Sequence, residues 1–137
     1  MLIAAKQRVG AADALDGQLL AALHLDKFLA GRADNVSIDC ICAVLVQLQV
    51  MAGDLQDRPL YDGSCRALVL LSKACETAWH KGSLSLDPST DQRRQIKQLV
   101  LKYIEILPRI TLGLYVAARE RGWSIVDRIN QQSLEAA

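Results

Sequence analysis

The segment STDQRRQIKQLVLKYIEILPRITLGLYVAARERG, residues 89–122, decides how this chain folds. Within it Ile96, Leu99, Val100, Tyr103, Leu107, Ile110, Leu114 and Ala118 recur in steps of three and four, the spacing that lines one face of an α-helix. Ser89 follows Pro88 and precedes Gln92 by three, the form of a capping box. At the far end Arg119 and Arg121 suit the last turn of a helix, and Gly122 suits a left-handed stop. At 1.5 Å per residue the rod would be roughly 45 to 50 Å long. That exceeds the width of a domain this size, so other helices must lie along it or a partner must cover its end. Pro108 falls inside the segment, where it removes one backbone hydrogen bond and crowds the carbonyl of Ile104. Glu105, Ile106 and Leu107 are poor caps, and the apolar row stays in phase across the proline. The segment therefore reads as one kinked helix.

Three earlier segments can pack along it. Residues 12–30 carry Leu15, Leu19, Leu20, Leu23, Phe28 and Leu29 as a broad stripe, with Asp13 or Asp16 at the start and Gly31 as the stop. Residues 38–52 are apolar nearly all round, which marks a central helix, closed by Gly53 with Asn35 or Ser37 as its cap. Asp54 to Tyr61 contains Pro59 and reads as a connection. Asp62 then caps a third helix bearing Cys65, Leu68, Val69, Leu71, Ala74, Cys75, Ala78 and Trp79, which exits through His80, Lys81 and Gly82. Beyond Gly122, Trp123 and Ser124 begin a short helix that ends near Asn130.

The expected fold is all-α: an antiparallel four-helix bundle with short loops, a long C-terminal helix kinked at Pro108, and a short helical tail. Residues 1–11 form an arm that is frayed or dependent on a partner, 12–130 a single helical-bundle domain, and 131–137 a flexible tail. Among the 137 residues 51% are hydrophobic and only 4% aromatic, a composition suited to interdigitating Leu, Ile, Val and Ala. Three prolines and eight glycines are too few punctuation marks for a many-stranded sandwich. The net charge of +1 supplies no global field towards nucleic acid or anionic membrane. The N-terminus lacks the pattern of a signal peptide, and the nearest membrane-span candidate, Cys40 to Val46, is too short. A cytoplasmic protein with reduced thiols is the expectation.

The sequence nominates no catalytic constellation. It holds no GxSxG, Walker loop, GxGxxG or HExxH. His24 lies among leucines with no nucleophile nominated beside it and reads as structural, while His80 complements a helix end. Cys40, Cys42, Cys65 and Cys75 lack zinc-ligand spacing, so neither a metal nor a cofactor is expected. Cys65, taken to lie near a helix N-terminus, is the least inert of them. Arg93, Arg94, Lys97, Lys102 and Arg109 decorate the long helix and read as a solvated face.

Surplus apolar rows are the more informative signal. Leu101, Ile104, Leu112 and Tyr115 run beside the main stripe, and four helices do not cover both that row and the all-apolar second helix. The chain is therefore expected to be a non-enzymatic regulatory or adaptor protein acting through protein–protein contacts, as a homodimer or on another protein helix, and not on a membrane. Leu101, Ile104, Leu112 and Tyr115 are its contact residues, with Trp123 as anchor. One alternative is a DNA-binding transcription regulator using Arg119, Arg121 and Arg128, which bracket an outline helix-turn-helix at Gly122. A second is a binder of a small apolar ligand between helices.

Overall fold

A computed structural model describes residues 7–80 and 90–136, with side chains described for 7–73 and 91–132. The described residues form five helices packed against one another: α1 (Ala11–Leu29), α2 (Asn35–Asp54), α3 (Arg58–His80), α4 (Thr90–Ile106) and α5 (Leu112–Ala136). A single 3-10 turn, Leu107–Arg109, separates α4 from α5. The fold is thus all-α, but it is five helices gathered on α2, which touches each of the other four. The centrality of α2 follows from its composition. Ile41, Leu45, Leu48 and Met51 are fully enclosed, and no cation or carboxylate occurs between Cys40 and Gly53. By length and composition α2 could cross a membrane, contrary to the expectation that only a short stretch would qualify; 61% of its most apolar window is buried by the rest of the domain.

The helix boundaries show which polar residues do the capping. At the end of α1, Arg32 N–H donates to Lys27 O and Gly31 N–H to Phe28 O, a Schellman motif with Gly31 at φ 71° as expected. Asp34, not Asn35 or Ser37, caps α2: its carboxylate accepts from Ser37 N–H at 2.8 Å, a bond that holds the carboxyl below its usual range. Ser37 has another task, described below. Helix α2 runs through Gly53 and stops at Asp54, and Gln56 takes the left-handed position at φ 56°. Asp57 then caps α3 by accepting from Leu60 N–H at 3.2 Å, which corrects the assignment of that role to Asp62. Pro59 sits in the first turn of α3, where its missing N–H has no intrahelical partner to lose. Asp62 lies one turn in and pairs with Arg58 at 3.2 Å. The capping box at Ser89, the loop 82–88 and the side chains of Cys75, Trp79 and His80 lie outside the described residues.

The largest departure from the sequence reading is at Pro108. The expected kinked rod is two helices, α4 and α5, because Ile110 adopts an extended conformation with ψ 165°. The cap that makes this possible is Thr111, three residues beyond the proline, whose hydroxyl accepts from Leu114 N–H at 3.2 Å. The chain before α1 satisfies the backbone groups that the break exposes. Val9 N–H donates to Ile110 O at 3.2 Å, Leu112 N–H donates to Gln7 O at 2.6 Å, and Arg8 bridges antiparallel to Thr111. Val9 is buried by this pairing. Replacing Thr111 with Ala should lower stability by about 1 kcal/mol, as measured by urea unfolding, while leaving the backbone bridge in place.

Helix α5 also corrects the reading of Gly122, which does not stop a helix. The apolar row Tyr115, Ala118, Gly122, Val126 continues in phase through it, and the helix ends only at Ala136. No separate short helix starts at Ser124, and the helix passes beyond Asn130. Gly122 is where α5 lies on α2: a Cβ there would stand 2.7 Å from Ala43 O and 3.1 Å from Gln47 Cγ. Farther along, Asn130 Nδ2 donates to Asp39 Oδ2 at 3.1 Å and ties α5 to the start of α2.

Candidate interaction surface

The buried polar groups are placed for packing. His24 Nδ1 lies 2.9 Å from Ser37 Oγ, joining α1 to α2. Both residues are buried and Ser37 is wholly enclosed, so its hydroxyl offers no surface to a substrate. Tyr103 donates its hydroxyl proton to Gln47 Oε1 at 3.0 Å inside the core. Burial, with Tyr115 and Cys40 nearby, pushes the phenol well above its ordinary value against the opposing pull of Arg119. Burial alone pushes the Cys40 thiol up to about 11, which makes it a poor nucleophile. Cys65 is two turns inside α3 because that helix begins at Arg58, so it lacks the helix-terminal position expected of it; Gln49 Nε2 donates to its sulfur at 3.1 Å. Among the described residues no three of His, Cys, Asp and Glu cluster as metal ligands do.

The five expected contact residues do not form one face. Leu101 is exposed; Ile104 and Leu112 are half-buried against the core, and Tyr115 is buried. Tyr115 belongs to the packed face of α5 because the break at Pro108 rotates α5 independently of α4. Trp123 is half-buried and, with Tyr115, Val116, Arg119 and Glu120, borders an open hollow of about 380 Å³. All five of these lining residues belong to α5, so the hollow differs from the expected ligand site between helices. Arg119, Arg121 and Arg128 are exposed, but at 100° per residue only Arg121 and Arg128 share a face. The turn of the outline helix-turn-helix is absent at Gly122, since α5 is continuous there.

The face that sequence reasoning missed is on α1. Leu15, Leu19, Leu20 and Leu23 are 52%, 60%, 47% and 51% exposed, whereas Ala14, Ala21, His24, Leu25 and Phe28 face the core. By bulk alone the leucine stripe would be the packing face of α1. The chain instead turns inward the side bearing Ala14, Gly17 and Ala21, since small residues allow α1 to lie close to its neighbours. Gly17 sits under Leu107 and the Tyr103 hydroxyl, at 2.8 and 3.7 Å from where its Cβ would be. The signal was available as a second apolar row, 14-21-25-28, on the opposite side of the same wheel.

No family model matches the chain, and neither the curated proteins nor the solved structures show a match to it.

Proposed function

We propose that the protein is a non-enzymatic regulatory or adaptor protein that works by helix-against-helix contact, as a homodimer, through the outer face of α1. The observation that carries this reading is the row Leu15, Leu19, Leu20 and Leu23, each about half exposed on adjacent turns of one helix. Fully burying a leucine is worth roughly 1.5–3 kcal/mol, so four at half exposure leave on the order of 3–6 kcal/mol for a partner surface to supply. Scattered exposed leucines are ordinary on a protein surface, but a contiguous row marks an interaction site. Two-fold pairing is the commonest way for a chain to cover such a row.

Sedimentation velocity over a concentration series tests this. The wild-type chain is expected to self-associate. Leu19→Lys should be monomeric with an unchanged helical circular dichroism spectrum, because Leu19 is the most exposed of the four. A wild-type chain that stays monomeric at hundreds of micromolar, or a Leu19→Lys variant that dimerises as well as wild type, would overturn it.

A further inference from the structure

We infer that the second copy seats its α1 on α4 of the first, and the first its α1 on α4 of the second, about a two-fold axis running along the α1–α4 seam. This rests on the reading of α1 as a contact face and specifies what that face meets. The seam is located by Gln18, whose Nε2 donates to Ile104 O at 2.8 Å, and by Gly17 beneath Leu107 and Tyr103. Val9 bonds to Ile110 just ahead of α1, so the start of α1 lies by the end of α4 and the two helices run antiparallel. Stepping around each helix from the seam towards solvent, Leu15 and Leu19 come next on α1, and Lys97 and Leu101 on α4. Leu15 and Leu19 of α1 and exposed Leu101 of α4 thus line the solvent side of the seam, beside half-buried Ile104.

Charge selects the occupant and its orientation. The charges of α1 are acidic at its start, Asp13 and Asp16, and at its end exposed Asp26 stands beside half-buried Lys27. On α4 the exposed cations beside the end of α1 are Arg94 and Lys97, one turn in from exposed Asp91; beside its start, half-buried Lys102 and Arg109 of the 3-10 turn flank Glu105 at 3.8 and 3.9 Å. A two-fold axis along the seam keeps every residue at its own height and lays α1 over α4 of the other copy. Asp26 then meets Lys97 and Arg94, Asp16 approaches Arg109 and Lys102, and Leu19 meets Leu101. A two-fold axis across the seam would lay α1 on α1 and bring Asp26 against Asp13 twice with Lys27 beside each pair, and it would leave Arg94 and Lys97 of α4 without an acidic partner from the second copy. The acidic flank of the leucine row also repels an anionic lipid surface. A 19-residue α1 is about 28 Å long, and two helices side by side present a face about 20 Å wide, roughly 560 Å² in plan, the size of a small interface below the ~800 Å² each partner gives to a standard one.

The test is complementation between two charge-reversed full-length chains, Asp26→Lys and Lys97→Asp, by analytical ultracentrifugation at low salt. Each alone should dimerise at least tenfold more weakly than wild type, because two like-charged contacts face each other. An equimolar mixture should recover wild-type affinity within about threefold, since every contact in the mixed dimer again pairs a lysine with an aspartate. Recovery only when both substitutions are in the same chain would assign the pairing within one copy and overturn the proposal. Unchanged dimerisation in both single variants, with Leu19→Lys still monomeric, would leave α1 as a contact face but overturn its seat on α4. A monomeric wild-type chain that sediments with vesicles of anionic phospholipid would overturn the proposal as well, because the leucine row would then be a lipid-binding face.

Discussion

Gly122→Val should be the most damaging single substitution on α5, lowering unfolding free energy by about 3 kcal/mol or more in urea titration. Valine would project its first carbon to within 2.7 Å of Ala43 O, and that oxygen belongs to the backbone of the central helix. A clash with the tip of a side chain is relieved by a rotamer change; this one requires α5 to move off α2 or α2 to bend. Overpacking of a dense core usually costs 1–3 kcal/mol, and a backbone contact lies at or above the top of that range. Gly122→Ala poses the sharper question, because alanine gains up to about 1 kcal/mol of helix propensity at an interior position. If the crossing is as close as the geometry gives, that gain is outweighed and the alanine variant is still less stable than wild type. A stabilised alanine variant would show that α5 does not rest on α2 at this point.

Alkaline pH should weaken the fold from about pH 9 upward, through two buried acids. Burial pushes the Cys40 thiol up to about 11 and drives the Tyr103 phenol upward also. In the unfolded chain these groups lose their protons near their ordinary values, whereas in the folded chain they keep them. Between those points the native state binds more protons than the unfolded state, so stability falls as pH rises. Below pH 9 the two thiol states are matched and Cys40 makes no pH-dependent contribution. From pH 9 to 11 it removes roughly 2 kcal/mol, and Tyr103 adds a loss in the same direction. Urea midpoints at pH 8, 9.5 and 11 should decline in that order, and Cys40→Ala should flatten the first part of the decline. A midpoint independent of pH across this window would place Cys40 at the surface.

Periodicity made the helices and the central place of α2 legible, because an element with no polar side can only be surrounded. The row Ile96, Leu99, Val100, Tyr103 was equally plain and is buried as spacing requires. What spacing could not resolve was competition between candidates of the same chemical type. Asp34, Asn35 and Ser37 are all good caps, and the choice fell to Asp34 because Ser37 is engaged with His24 across 13 residues of chain. At Pro108 a simple split would need a cap just before the proline, where none stands, while the 3-10 turn carries the cap forward to Thr111. Gly122 has the same identity as a stop and as a close crossing, and only the partner helix distinguishes them. On α1 the error was one of size: leucines outweigh alanine and glycine in any hydropathy count, yet close packing favours the small residues. The row read as surplus, Leu101, Ile104, Leu112 and Tyr115, is packed against the core except at Leu101, and the exposed leucines lie on α1 instead.

The strand-like pairing of residues 7–9 with the α4–α5 joint bears on the order of assembly. Val9 and Ile110 are separated by about a hundred residues, and closing a loop that long costs about 4 kcal/mol of chain entropy before their bond forms. Packing of the intervening helices shortens that loop, so the pairing of residues 7–9 with the joint is expected to form after α1 and α4 have met. During synthesis, residues 7–9 wait about a hundred residues before the joint they pair with is made.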